Sequence, residues 1–167
     1  NLTVSGGNII GEEYSGIAVF GGIVTITGGT ITGNFCDIRK IDGTLTLTLA
    51  DGKTQGAIFP GGIKVLGIIR GEILGEGMAY WQGDKMIVPA DGQIEITGGD
   101  VTIREACRHE NGTATYTLTA DGMQHVVTWS CCGVVVTESH TFADGACTAC
   151  GVIGGYCGEE GNEQNVI

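Results

Sequence analysis

Residues 2–11 read LTVSGGNIIG and residues 24–33 read VTITGGTITG, and the two stretches align without a gap at an offset of 22 residues. Leu2, Val4 and Ile9 fall on Val24, Ile26 and Ile31, and Gly6-Gly7 falls on Gly28-Gly29. A third stretch, IEITGGDVTI at residues 94–103, keeps the pattern. Alternation with a period of two marks a strand with one buried face, and Gly-Gly between two short strands marks a bend too tight for side chains. One such coil cannot bury its apolar residues alone, whereas stacked coils form a continuous core. The reading is therefore all-β: a right-handed parallel β-helix, or solenoid, over residues 1–104, with an antiparallel sandwich as the competing architecture. In the solenoid, Val4 and Ile26 stack in adjacent coils about 5 Å apart, the spacing of neighbouring strands.

Working outward, residues 43–52 (GTLTLTLADG) alternate Thr with Leu, and the Ala-Asp-Gly that ends them recurs at residues 90–92, 120–122 and 143–145. Asp-Gly is a turn signal. Residues 68–77 (IIRGEILGEG) carry a short helix at most, weakened by Gly71 and Gly75. Residues 67–90 read as a hairpin and short-helix excursion, after which the solenoid is expected to resume at Ile94. Beyond Arg104 the pattern stops, and a small Cys/His β module is expected over residues 105–158, followed by a loose tail at 159–167. Within the module, an Asp121-Gly122 turn pairs Leu118 with His125, Tyr116 with Val127 and Ala114 with Trp129, and residues 134–139 supply a third strand.

Composition narrows the function. Eight Lys plus Arg against nineteen Asp plus Glu give a formal net charge of −11, a surface that repels phosphate backbones and anionic lipid. Nucleic-acid binding is not expected. The apolar runs fall far short of the roughly 20 residues that span a bilayer, so membrane insertion is not expected either. The chain opens in what reads as the middle of a strand, which suggests a piece of a longer precursor. Seven cysteines, five of them after residue 130, suit either a metal site or a disulfide set.

Cys147-Thr-Ala-Cys150-Gly151 is a CxxCG knuckle, a tight turn that points two thiolates to one side. Upstream lie Cys131-Cys132-Gly133 and His140, but a second knuckle would need Cys at position 129, where Trp129 stands. The expectation is a structural zinc held by His140, Cys147, Cys150 and one of the upstream pair, with Cys132 taken as the fourth ligand. Disulfides among Cys107, Cys131, Cys132, Cys147, Cys150 and Cys157, or buried thiols, are the competing readings.

The stretches GEILGEGMAYW, ITGGDVTI, a C-x-H and SHTFADGACTACG together resemble the C-terminal region of large secreted surface proteins of gut Gram-positive bacteria. Their Gly- and Thr-rich coils are of the pectin-lyase-like kind, whose GGTITGN signature matches residues 28–34, and short H-x-F…CxxCG modules follow them. The resemblance implies a parallel β-helix and a secreted or cell-surface location. It carries suspected metal binding onto His140, Cys147 and Cys150, and says little about activity.

No P-loop, dinucleotide fingerprint, HExxH or nucleophile elbow is present. Asp37, Arg39, Lys40 and Asp42 are the nearest approach to a uronate-cleaving set, and a solvated polar loop explains them more simply. Cys107 and His109 share a face if extended, a reactive or metal pair or a structural one. His125, on the apolar face, reads as a satisfied core histidine, and Glu160 stands where a thioester motif after Cys157 needs Gln. The chain is accordingly read as no enzyme but a structural or adhesive segment, with Tyr14, Tyr80 or Trp81 available to a host glycan or host protein. The alternative is the C-terminal end of a carbohydrate-active β-helix enzyme with its active site upstream.

Overall fold

Alternating apolar residues broken by glycine bends make strands. Among the described residues, 1–67, 73–89 and 94–153, the computed structural model is all-β, with no helix. The chain divides into two compact units, Asn1–Arg108 and His109–Ile167.

The first unit is built on three successive parallel strands, β1 (Leu2–Gly11), β2 (Ser15–Gly33) and β3 (Cys36–Leu47). Leu2 pairs with Val24, Val4 with Ile26 and Ile9 with Ile31, so the strands adopt the register of the sequence repeat. β2 and β3 continue the stack, Ile17 opposite Ile38 and Ile26 opposite Leu47. Side chains two apart share a face, so this register lines Val4, Ile26 and Leu47 into one inward column. Ile26, Ile31, Ile38 and Leu47 are completely buried.

The glycine bends serve this stacking. A Cβ on Gly28 would lie 2.7 Å from the Ser5 carbonyl oxygen of the preceding strand, and Gly43 turns at φ 77° against the Gly21-Gly22 backbone. Asp37 braces the other end. Its Oδ1 accepts from the Gly33 N–H at 3.1 Å and its Oδ2 from the Lys64 N–H at 2.8 Å. The expected solvated loop at residues 37–42 is instead part of β3, with Asp37 and Lys40 buried.

Beyond β3 the stack changes character. β4 (Ile58–Phe59) pairs with β2 in parallel, and β5 (Gly62–Gly67) does so with β3. β6 (Met78–Gln82) and β7 (Lys85–Ile87) form a hairpin, Tyr80 opposite Ile87. The third copy of the repeat then supplies β8 (Ile94–Thr97) and β9 (Val101–Glu105), and both run antiparallel to their neighbours. Ile96 still faces Ile63, because alternation sets which face is buried and leaves strand direction open. The expected resumption of parallel coils at Ile94 is thus corrected. The nine strands form one sheet, strongly curled into a half-barrel around Phe59, Ile63, Val101 and Ile103. Of the expected short helix, residues 68–72 lie outside the described residues. Residues 73–77 are not helical: Leu74 bridges to Leu47 in parallel.

The second unit opens with a three-stranded antiparallel sheet, β10 (Ala114–Leu118), β11 (Gln124–Trp129) and β12 (Val135–Ser139). The Asp121-Gly122 turn sets the expected pairs, Leu118 with His125, Tyr116 with Val127 and Ala114 with Trp129. Asp121 Oδ1 caps the turn by accepting from the Thr119 hydroxyl at 2.6 Å and the Met123 N–H at 3.1 Å. A short hairpin, β13 (Phe142–Ala143) and β14 (Ala146–Cys147), closes the described part, reversing at Asp144-Gly145 with φ 52° and 83°. Cys157 and the expected loose tail at 159–167 lie outside the described residues.

Candidate metal centres

The β11–β12 register places His125 opposite Glu138. His140, two residues past Glu138, therefore projects from the same face as His125. β14 brings Cys147 up beside them, and the knuckle turn that follows, closed by Gly151 N–H donating to the Cys147 carbonyl at 2.9 Å, swings Cys150 to the same side. Gly151 takes the φ of 75° that this turn demands. The outcome is a group of four, His125, His140, Cys147 and Cys150, whose ligand atoms all lie within 4.8 Å of one another.

The separations are informative. His125 Nδ1 lies 3.3 Å from His140 Nδ1, and His140 Nδ1 lies 3.5 Å from Cys150 Sγ. A tetrahedral ion with metal–nitrogen bonds near 2.05 Å and metal–sulfur bonds near 2.3 Å has edges of about 3.4 Å between nitrogens and about 3.6 Å between nitrogen and sulfur. The donor set fits such an ion. His125 is 1% exposed, and its Nε2 makes no hydrogen bond but lies 3.5 Å from Glu138 Oε2, within ion-pair range of a protonated ring. The Nε2 of His140 is buried without a hydrogen bond too. The Nδ1 atoms of the two histidines face each other, and that of His140 also faces the Cys150 thiol.

The Cys147 thiol is drawn down from its ordinary 9.0 to about 5. The chief cause is the Cys150 backbone N–H directed at its sulfur, followed by a hydrogen bond with His140, while desolvation works in the opposite direction. A thiolate poised at neutral pH is the form that binds a metal.

A second group comprises Cys107, His109, Cys131 and Cys132, again with ligand atoms within 4.8 Å of one another. His109 Nδ1 is 3.4 Å from Cys131 Sγ and 3.5 Å from Cys132 Sγ, and the two sulfurs are 3.9 Å apart. None of the six described cysteines is in a disulfide. Each of the two groups could therefore hold a metal ion.

His140, Cys147 and Cys150, expected to act together, are together, and Cys132 lies in the second group, where its turn carries it. His125 takes the fourth place. His125, expected as a satisfied core histidine, is buried, with its Nδ1 against His140 and its Nε2 3.5 Å from Glu138 Oε2. Of the aromatic residues expected to be exposed, Tyr80 is 2% exposed and belongs to the core, and Trp81 is half-buried with its Nε1 donating to the Glu105 carbonyl at 3.1 Å. Tyr14 is exposed beside Phe35, ring centroids 4.9 Å apart. No protein-family model matches the chain, and neither a curated protein nor a solved structure matches it.

Proposed function

We propose that this chain is a non-catalytic structural or adhesive segment of a secreted or cell-surface bacterial protein, whose small terminal module is stapled by zinc at His125, His140, Cys147 and Cys150. The carrying observation is that this group brings four candidate ligand atoms within 4.8 Å of one another, with nitrogen–nitrogen and nitrogen–sulfur separations of 3.3 and 3.5 Å. Four protein ligands close the coordination sphere, as structural sites do, whereas catalytic zinc keeps one position for water or substrate. The mixed nitrogen and thiolate donors suit zinc and exclude magnesium and calcium, which prefer oxygen. A module with so few large apolar side chains gains from such a staple.

For the first unit, the parallel register of β1, β2 and β3 supports reading these strands as coils of a right-handed parallel β-helix that serves as a stiff support. The exposed pair Tyr14 and Phe35 carries Arg39 at 5.0 Å over the Tyr14 ring and Lys64 at 5.5 Å over the Phe35 ring. Such a surface suits contact with a host glycan or protein. Elemental analysis after exhaustive dialysis tests the central reading. Retained zinc, lost together with the module's cooperative melting when a strong chelator is added, is expected. A metal-free protein with Cys147 or Cys150 in a disulfide would overturn it.

A further inference from the structure

The Trp129–Gly133 turn copies the knuckle at Cys147–Gly151. Gly133 N–H donates to the Trp129 carbonyl at 2.8 Å, as Gly151 N–H does to Cys147 at 2.9 Å. Gly133 and Gly151 have φ of 62° and 75°. Position for position, Cys132 stands where Cys150 stands and Trp129 where Cys147 stands. The first thiolate of this knuckle is missing, and its neighbour Cys131 and the upstream Cys107 supply sulfur instead.

We infer that Cys107, His109, Cys131 and Cys132 form a second, independent zinc site of the three-thiolate, one-imidazole type. The separations of 3.4 and 3.5 Å from His109 Nδ1 to the two sulfurs, and 3.9 Å between them, suit a tetrahedron whose nitrogen–sulfur and sulfur–sulfur edges are about 3.6 and 3.8 Å. A vicinal disulfide would need those sulfurs at about 2.05 Å.

The surroundings are built to hold these atoms. His109 adopts a left-handed φ of 60°, strained for a residue other than glycine, and strain of this kind concentrates at functional sites. Its ring lies flat on Trp129, centroids 4.4 Å apart and planes 13° from parallel. The tryptophan that displaces a knuckle cysteine therefore orients the imidazole ligand. Gly112 is required as well: a Cβ there would come within 2.5 Å of Cys131 Sγ. Three thiolates and a divalent ion leave this site with a formal charge of −1, whereas the two thiolates of the other group make a neutral site. Thiolate-rich coordination favours zinc and other thiophilic ions.

The proposal does not rest on the first site, and metal counting separates the two. The intact chain should bind two zinc ions, Cys132→Ser one and His140→Ala one. Loaded with cobalt(II), the ion kept by His140→Ala should show the stronger sulfur-to-metal charge-transfer absorption, because three thiolates ligate it. If Cys132→Ser does not fold, stepwise cobalt(II) titration of the wild-type chain gives the same answer through two equivalents of unequal charge-transfer intensity. One ion in the wild type that Cys132→Ser loses and His140→Ala keeps upholds this site and sinks the other. One ion lost only by His140→Ala, no metal at all, or a Cys131–Cys132 disulfide found by peptide mapping overturns it.

Discussion

Cys147 ties the chemistry of its group to pH. Its folded-state value of about 5 lies below the ordinary 9.0, so the metal-free fold favours the thiolate. That preference contributes stability fully above pH 9, diminishes as the pH falls, and vanishes below about 5. Zinc at this group should accordingly stay bound from neutral pH down toward pH 5 and be released below it, read with a zinc-sensitive dye, and Cys147→Ser should release it at higher pH. Cys147 and Cys150 were legible from their spacing, since a CxxCG turn leaves the thiols few directions. His125 was not. A histidine among Val127 and Trp129 has the pattern of a core residue, and only the β11–β12 register, which no turn in the sequence specifies, sets it on the face of His140. Trp129 likewise read as a broken knuckle, and its use as a platform for His109 depends on a ring contact that spacing does not encode. Trp129→Ala should therefore weaken zinc at the second group by about 10- to 100-fold, the usual effect of removing a residue that orients a ligand. A competition titration against a chelating dye measures it, and unchanged affinity would separate Trp129 from the site.

Glycines separate the strands that stack from those that merely alternate. Gly28 and Gly6 occupy equivalent places in the repeat, and neither has a positive φ, yet a Cβ on Gly28 meets the Ser5 carbonyl at 2.7 Å while one on Gly6 meets nothing within 4 Å. Gly28→Ala should destabilise the first unit by about 1–3 kcal/mol, the scale of overpacking, and Gly6→Ala should be near neutral. Chemical denaturation of the two variants checks this, and equal effects would contradict the parallel register of β1 and β2. Asp37→Ala should cost about 1–3 kcal/mol because it strands the N–H groups of Gly33 and Lys64. The repeat was readable where offset and glycine bends agreed, in β1 and β2. It misled at β8 and β9, where the chain returns from the β6–β7 hairpin and the same alternating residues are buried equally well by antiparallel neighbours.

The two units bury different sets of side chains. Asn1–Arg108 has a contiguous aliphatic core that includes Ile26, Ile31, Ile38, Leu47, Phe59 and Ile103. In His109–Ile167 the buried set among the described residues is small: Val127, Val134, His125, Cys132 and Cys147, three of which are metal-ligand candidates. Burial of apolar area at roughly 25 cal/mol per Å² favours the first unit, and on the proposed zinc reading the second draws on coordination as well. The direct measurement is calorimetry of the intact chain, zinc-loaded and after chelation, at fixed pH under reducing conditions that exclude disulfides. The account predicts that chelation abolishes the cooperative transition of the second unit, that zinc restores it, and that the transition of the first unit stays in place. Identical unfolding with and without zinc would contradict it.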